Sequence, residues 1–320
     1  MAVSGASLST RIRQAGDLAV NAARFRRHIR AVGLSPKTEL SYLEAVEGLI
    51  RFLADRGMPL DTAAVAREHI EEWLIAMREA GRRPATLAIR YRSVQQFFRW
   101  AADEGLIKAS PMAKMRPPKV PEAPPDVLRD EELTRLLKVV DADKTFAGRR
   151  DAAIIRLFVA SGARLAEITN LRWNPDDPQT NDVDLDRSLI RVVGKGNRER
   201  PIYVGAKATK ALDRYIYDYR AKHRLADTPW LWLGPRGRMT SSGIAQMVRT
   251  RGEEAGIERL HPHAFRHAWA HANLARGMQE GEVMTLAGWR SREMLRRYAA
   301  STATDRALEA AKRVGLADRL

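Results

Sequence analysis

The stretch Ser161-Gly162-Ala163-Arg164-Leu165-Ala166-Glu167 places an arginine at the start of a helix predicted over 164–172. A strongly apolar helix is predicted over 150–160, and the serine–glycine pair interrupts it. A lone arginine in this position would be an ordinary surface cation. The glycine break before Arg164 and the carboxyl group of Glu167 after it favour instead an arginine that is held in a functional site.

Other chemistry-bearing residues follow in the second half of the chain. The hydrophobic period changes to two, which predicts strands over 188–193 and 200–204 around the glycine-rich turn Gly194-Lys195-Gly196-Asn197. Helical patterns return from 206 and contain the stretch His261-Pro262-His263-Ala264-Phe265-Arg266-His267. The candidate catalytic residues are Arg164, Lys195, His263, Arg266, Trp289 and Tyr298.

These side chains meet the needs of phosphodiester cleavage. The non-bridging oxygens need cationic, bidentate donors, and Arg164 and Arg266 suit that clamp. Tyr298 suits the nucleophile, because nearby cations favour the phenolate form of a phenol. Lys195, at the tip of a hairpin, suits the general acid that protonates the leaving 5′-oxygen.

Histidine and tryptophan complete the predicted site. His263 can assist proton transfer or bond the phosphate, and the Trp289 indole N–H is a donor only. The spacing of His263, His267 and His271 would also suit a metal. Without a matching carboxylate cluster, packing or hydrogen bonding is the favoured role, and His267 is predicted to support the site. Neither a metal nor a cofactor is expected.

The lysine in the hairpin has a competing interpretation. Its turn could be a solvated loop, with Arg198 or Arg200 as neighbouring cations. Lys195 is favoured as the general acid, and the alternative stays open at this point.

Composition points to a polyanionic partner. The chain has 320 residues, 45% of them hydrophobic, a formal net charge of +16 and an isoelectric point of about 10.5. Such an excess of positive charge favours nucleic acid over a membrane surface. The absence of cysteine excludes disulfides, thiolate nucleophiles and cysteine zinc sites. No apolar run approaches membrane-spanning length, so a soluble, cytoplasmic protein is predicted.

The first third of the chain is predicted to be a bundle of four helices, over 8–31, 35–57, 62–80 and 84–105. Clustered arginines on these helices are either solvated faces or contacts to DNA backbone, and the second interpretation is favoured. The predicted DNA-binding residues are Arg24, Arg26, Arg27, Arg82, Arg83, Arg90 and Arg92.

Two segments mark the predicted domain limits. Residues 108–126 are rich in proline and basic side chains, which predicts an extended linker after a helical domain over 1–107. A second domain is predicted over 127–302. Residues 303–320 form a short amphipathic helix, which packs either on its own domain or on a neighbouring protomer.

In its motifs the chain resembles the tyrosine recombinase (phage integrase) family. Order and spacing of the candidate residues fit across 130–300, and the bundle over 20–107, with Ser35, Pro36, Thr38 and Tyr42, resembles the family's SAM-like core-binding domain. The resemblance implies a mainly α fold with a small β-hairpin or sheet (α+β), with a mixed α/β catalytic domain.

The resemblance also implies roles and partners. Arg164 and Arg266 would bind phosphate, Glu167 would support the site, and Tyr298 would form a 3′-phosphotyrosyl bond and free a 5′-hydroxyl. Trp289 stands where many members have a second histidine. Four protomers, monomeric or weakly associated when free, would exchange strands of double-stranded DNA at two short, near-palindromic sites in the prokaryotic nucleoid, with or without accessory proteins. The tail would dock on a neighbouring protomer.

Two alternative functions stay open on the sequence. A DNA relaxer of the type IB topoisomerase kind shares the chemistry, and the tail argues against it. A catalytically silent DNA-binding protein is the other, and the intact catalytic set argues against that. The small region before residue 20 favours the simple, two-domain Xer-like type.

Overall fold

The computed structural model describes residues 16–121, 128–194, 198–289, 291, 295 and 308. The chain divides into two compact units, Met1–Glu122 and Ala123–Leu320. In the described residues of the first unit, four α-helices and one short 3-10 turn follow each other. The helices are α1 (Leu18–Ala31), α2 (Pro36–Asp55), α3 (Arg67–Glu79) and α4 (Pro84–Asp103).

Local signals explain where the helices of the first unit begin. The predictions of α2 and α4 are confirmed, each with a proline in its first turn, and the Ser35 hydroxyl caps α2 by accepting from the Thr38 amide at 3.2 Å. The first helix begins at Leu18 because Gly16 is in the left-handed region. Residues 8–15 of the predicted helix lie outside the described part of the chain.

The third predicted helix, over 62–80, is wrong in its first turns. Thr62–Ala64 forms a 3-10 turn, Val65 and Ala66 are extended, and α3 begins only at Arg67. The reason is a tertiary contact, since the Asp17 carboxylate accepts hydrogen bonds from both the amide and the hydroxyl of Thr62, each at 2.6 Å.

An aromatic and aliphatic core holds the first unit together. Phe25 of α1 lies 5.5 Å from Phe97 and 5.3 Å from Trp100 of α4, measured between ring centroids. Residues beyond α4 join this core. Met112 is fully buried, and the Tyr91 hydroxyl donates to the Met115 carbonyl at 2.8 Å. The segment 108–115 therefore packs on the bundle instead of forming the first part of an extended linker, because Met112 and Met115 supply apolar side chains to the core.

The second unit combines helices with two small antiparallel sheets. One sheet has the strand order β1-β2-β3, and the other pairs β4 with β5. Its helices are α5 (Asp130–Ala142), α6 (Phe146–Ser161), α7 (Leu165–Thr169), α8 (Gly205–Arg214), α9 (Ser241–Glu254), α10 (Pro262–Ala275) and α11 (Glu280–Ala287). Its strands are β1 (Val183–Asp184), β2 (Leu189–Gly194), β3 (Arg198–Tyr203), β4 (Leu233–Gly234) and β5 (Gly237–Arg238).

The sequence predicted the hairpin of β2 and β3, and the structure confirms it, with Gly194 paired to Arg198. The strands β1, β4 and β5, and the π-helical turn Tyr215–Tyr219 after α8, were not predicted. Helix α6 begins at Phe146, earlier than expected, because Thr145 caps it by accepting from the Gly148 amide at 3.1 Å. The mainly α fold with a small sheet is confirmed.

Helix α7 ends at Thr169, three residues before the predicted end, because the chain after it enters a different hydrogen-bonding pattern. The Leu231 amide donates to the Leu171 carbonyl at 3.0 Å, and the Trp173 amide donates to the Pro229 carbonyl at 2.8 Å. The buried Trp232 indole adds a bond to the Ile168 carbonyl at 2.7 Å. These bonds fix the position of α7, and with it the position of Arg164.

Candidate functional site

Helix α11 ends at a point where three arginines converge. The last four carbonyls of a helix lack partners within it. In α11 the first two of these carbonyls are paired: the Trp289 amide donates to the Met284 carbonyl at 2.9 Å, and the Gly288 amide donates to the Thr285 carbonyl at 3.1 Å. Arg200 donates to the Leu286 carbonyl at 2.8 Å and Arg266 donates to the Ala287 carbonyl at 2.6 Å. Arg164 donates to the next carbonyl, that of Gly288, at 3.2 Å.

The cations suit this position electrostatically, because the C-terminal end of a helix carries partial negative charge. Gly288 is required at the turn. It has a φ of 63°, and a Cβ there would lie 3.2 Å from an Arg200 nitrogen. We call Arg164, Arg200 and Arg266, together with Glu167, the arginine cluster.

Glu167 is the counter-charge at the centre of the cluster. Its buried carboxylate accepts two bonds from Arg200 at 2.9 Å each, one from the Arg164 side chain at 2.9 Å and one from the Arg164 amide at 2.7 Å. Burial acts to raise the pKa of Glu167, but the hydrogen bonds from Arg200 and Arg164 outweigh it and hold the pKa below its usual value. Glu167 is therefore an ionised anchor.

The two predicted phosphate-binding arginines are brought together but differ in exposure. Arg266 is only 1% exposed and also donates to the Gly162 carbonyl at 2.8 Å, whereas the Arg164 side chain is 40% exposed. Glycine is required at position 162, because its φ is 56° and a Cβ would collide with the Trp269 ring. Arg164 thus presents an accessible guanidinium, whereas Arg266 donates to the neighbouring carbonyl of Ala287 from a buried position.

The histidines lie on α10, close to Arg266. The rings of His263 and His267 meet edge to face, 4.6 Å apart. Desolvation and then the charge of Arg266 lower the pKa of His263, and desolvation and the neighbouring His263 lower the pKa of His267 to about 4. Both imidazoles are therefore neutral at pH 7, and each ring has one N–H that donates and one nitrogen that accepts a hydrogen bond.

Trp289 is buried beside the cluster. Its ring centroid lies 5.1 Å from the Arg266 guanidinium carbon, within cation–π range. Lys195 and Tyr298 lie outside the described residues, as does the predicted tail helix over 303–320 except for Leu308. The chain leads to both from described positions, since Gly194 and Arg198 flank Lys195, and Trp289 precedes Tyr298.

Sequence reasoning missed the role of Arg200. It treated Arg200 as a spare cation of the hairpin, whereas the side chain is 15% exposed and bonded to Glu167 and Leu286. Its position just before Pro201 on β3 carries no local signal for that contact. The one usable hint is alternation along β3, which puts Arg198 and Arg200 on the same face, opposite to Glu199.

In the first unit, some predicted DNA-binding arginines have intramolecular partners. Arg26 pairs with Glu39 at 2.8 Å, and Arg90 pairs with Glu44 at 2.9 Å. Arg24 lies 3.3 Å from the Asn21 side-chain oxygen. The two ion pairs, Arg26–Glu39 and Arg90–Glu44, lie at the surface, where such pairs are weak, so a stronger anion can replace the carboxylate. The other four predicted DNA-binding residues are exposed: Arg27, Arg82, Arg83 and Arg92.

Neither a membrane span nor a metal site is found in the described part of the chain. None of its helices combines the length and the apolar character needed to cross a lipid bilayer. The described residues also contain no group of three or more histidine or carboxylate side chains placed to hold a metal ion.

The chain matches two family models. Residues 126–305 match the phage integrase family, and residues 22–108 match its N-terminal SAM-like domain. The tyrosine recombinase XerC of Mycobacterium bovis (strain BCG / Pasteur 1173P2) is 32% identical over 262 residues, which is 80% of this chain and 85% of that protein.

Solved structures share the fold. The recombinase XerH, in a post-cleavage complex with a palindromic difH substrate, superposes with a TM-score of 0.70 at 16% identity, covering 91% of this chain and 83% of that one. A lambda integrase tetramer bound to a Holliday junction gives a TM-score of 0.65 at 17% identity, covering 90% and 83%.

An N-terminal helical unit followed by a mainly helical unit with small sheets is the fold that the chain shares with these recombinases. The chain belongs to the phage integrase family, as its match over 126–305 and its XerC relative show.

Proposed function

We propose that this protein cleaves and rejoins double-stranded DNA at specific sites through a covalent bond between Tyr298 and a 3′-phosphate. The observation that carries the proposal is the arginine cluster. It brings an exposed guanidinium, that of Arg164, and a buried one, that of Arg266, to neighbouring carbonyls at the end of the helix that precedes Tyr298 in the chain. Two fixed guanidiniums suit the charge that develops on phosphorus during an in-line attack.

In this mechanism Arg164 and Arg266 bind the non-bridging oxygens of the scissile phosphate. The Tyr298 oxygen attacks phosphorus, a phosphotyrosyl ester forms, and the bond to the 5′-oxygen breaks. Lys195 donates the proton that the leaving 5′-oxygen takes up. Neutral His263 bonds the phosphate or takes up the phenol proton. The Trp289 ring packs beside Tyr298. Glu167 keeps Arg164 in place, and His267 supports His263.

The partner we propose is a pair of short, near-palindromic DNA sites. Support comes from the net charge of +16, from the exposed arginines of the first unit, and from the XerH complex with a palindromic substrate. Four protomers would act together, as in the lambda integrase tetramer on a Holliday junction. The domain limits proposed for this task are a core-binding domain extended by the packed segment 108–115, a linker after it, and a catalytic domain over 127–302. The tail over 303–320 would pack on its own domain or dock on a neighbouring protomer.

The experiment that tests the function traps the covalent intermediate. A nicked suicide duplex carrying a cognate site is incubated with the protein, and the adduct is separated by denaturing electrophoresis. We expect an adduct with the wild-type chain and none with Tyr298→Phe, because a phenyl ring has no nucleophilic oxygen. Tyr203→Phe, which removes the hydroxyl of an exposed tyrosine on β3, serves as the matched control and keeps the adduct.

Two results would contradict parts of this proposal. An adduct that survives Tyr298→Phe would exclude that residue as the nucleophile. The absence of any adduct on a site that the protein binds specifically would make the chain a silent DNA-binding protein.

A separate prediction concerns the general acid. Lys195→Ala is expected to slow cleavage of ordinary DNA by about 10² to 10⁴, the usual contribution of general acid catalysis. A 5′-phosphorothiolate substrate should restore the rate, because its sulfur leaves without protonation. Arg198→Ala, the neighbouring cation of the hairpin, is the control and should show neither effect. A Lys195→Ala variant that stays slow on the phosphorothiolate would remove Lys195 from this role.

A further inference from the structure

A second concentration of positive charge lies in the C-terminal unit, away from the arginine cluster. Helices α5, α6 and α8 surround a groove of about 630 Å³. Each contributes a stripe of side chains at helical spacing, such as Lys207, Lys210 and Arg214 on α8. The basic residues that line the groove are Lys138, Lys144, Arg149, Arg156, Lys207, Lys210 and Arg214.

Negative charge in this groove is scarce. Among its described lining residues, Asp141 is the only carboxylate, and Arg156 already binds it. The Lys144 ammonium donates to the Asp141 main-chain carbonyl at 2.6 Å, which adds no counter-charge. Cations that share a cavity repel each other, and this repulsion disfavours the empty groove relative to one that holds an anion.

Arg149 makes the groove more than a basic surface. It lies in the first turn of α6 and is only 9% exposed, yet it lines the cavity. Its Nε has no hydrogen-bond partner among the described residues. A buried guanidinium normally has partners for its donors, as Arg220 does with the carbonyls of Ala226, Thr228, Trp230 and Leu231. The buried donor of Arg149 therefore lacks an acceptor within the described part of the chain, and an anion in the groove would supply one.

The groove and the arginine cluster are separate. Helix α6 joins them, with Arg149 near its start and Gly162, whose carbonyl binds Arg266, just after its end. A helical rise of about 1.5 Å for each residue puts roughly 20 Å between these two positions. One scissile phosphate cannot occupy both.

We propose that this groove is a binding site for a polyphosphate anion, distinct from the site of DNA cleavage. A phosphate chain matches the arrangement, because a planar guanidinium on the floor suits a bidentate phosphate contact and the lysines around it suit the remaining charges. The anion is either a free polyphosphate, such as a nucleoside triphosphate, or the backbone of a DNA segment outside the cleavage site. Both present the same chemistry to these side chains.

The test uses the full-length protein and sodium tripolyphosphate as the probe, with affinity measured by titration calorimetry. Arg149→Met keeps the apolar stem and removes the donors. A second variant, Lys207→Gln with Lys210→Gln and Arg214→Gln, changes only exposed positions of α8, so its folding is not at risk. Each is expected to weaken tripolyphosphate binding at least about tenfold, as the loss of charged hydrogen bonds implies. Arg187→Met, which removes a 79% exposed cation elsewhere in the unit, should leave it unchanged.

A second arm distinguishes the two sources of phosphate. Binding of a non-cognate duplex is measured over a range of salt concentrations. If DNA backbone fills the groove, the triple variant lowers the salt slope by roughly 0.9 for each phosphate that the protein no longer neutralises. If the ligand is a free polyphosphate, the slope stays the same while tripolyphosphate affinity falls.

Tripolyphosphate affinity equal to that of wild type in both variants would overturn the proposal, whatever the salt slope does. The result is independent of the recombination reaction, because the Tyr298 adduct assay does not report on the groove. At saturating concentrations of cognate DNA, both variants are expected to form that adduct at the wild-type rate, because neither changes the arginine cluster.

Discussion

Arg266→Met is expected to lower the rate of covalent adduct formation by about 10² to 10³, the usual effect of removing one donor that stabilises transition-state charge. It should also destabilise the C-terminal unit. The buried carbonyls of Gly162 and Ala287 both lose their hydrogen-bond donor, and each unsatisfied buried group lowers the free energy of unfolding by about 1–3 kcal/mol. The adduct rate is measured in single-turnover assays at a temperature where the variant is fully folded, and stability by urea unfolding.

The matched control for this prediction is Arg220→Met. Arg220 is also buried, at 3% exposure, and also donates to main-chain carbonyls, but it lies in the turn after α8 and its hydrogen bonds go to the 226–231 segment instead of the cluster. Its loss should reduce stability to a similar degree and leave the adduct rate of folded protein unchanged. If Arg266→Met keeps the wild-type rate, the phosphate contact assigned to Arg266 is wrong and the residue serves stability alone.

Arg200→Met is expected to reduce adduct formation by about 10²-fold, although Arg200 is not assigned a contact with DNA. Without Arg200, the Glu167 carboxylate loses two of the hydrogen bonds that it accepts, and the Leu286 carbonyl loses its side-chain donor. Glu167 can then move, and Arg164 with it, and a shift of about 1 Å in a catalytic group is enough for such a loss. Breaking a buried ion pair should also lower the free energy of unfolding by about 3–5 kcal/mol.

Acidification gives this prediction a second readout. The folded-state pKa of Glu167 is depressed, so its contribution to stability is present above the pKa of the unfolded chain and is lost as the pH falls through the folded pKa. Removing Arg200 raises the folded pKa. The stability difference between wild type and Arg200→Met should therefore shrink as the pH falls through the acidic range in which Glu167 takes up its proton.

Two comparisons separate positioning from general stability. Arg198→Met, two residues away on the same strand and exposed, should affect neither rate nor stability. In a double-mutant cycle, Arg200→Met and Glu167→Gln should be strongly non-additive, because they remove the same contact. Additive effects of the two substitutions would show that Arg200 does not act through Glu167.

Much of the fold was predictable from the chain because its signals are local. Helices α2 and α4 each begin at a proline in a permitted position, and the β2–β3 hairpin follows from alternation around a glycine-rich turn. Boundaries that depend on distant partners were not predictable. Asp17 prevents a helix at Thr62, and the bonds between Leu171 and Leu231 end α7 early.

The sequence by itself determined the kinds of side chain at the candidate site and their order along the chain, because those are properties of short motifs. Only the tertiary structure decided how they meet. Arg164 reaches Gly288 across 124 positions, Arg200 reaches Glu167 across 33, and Arg266 reaches Ala287 across 21. No local pattern encodes these contacts. The end of α11 leaves carbonyls unpaired, and Arg164, Arg200 and Arg266 supply donors to the carbonyls there. The buried carboxylate of Glu167 needs counter-charges, and Arg200 and Arg164 supply them.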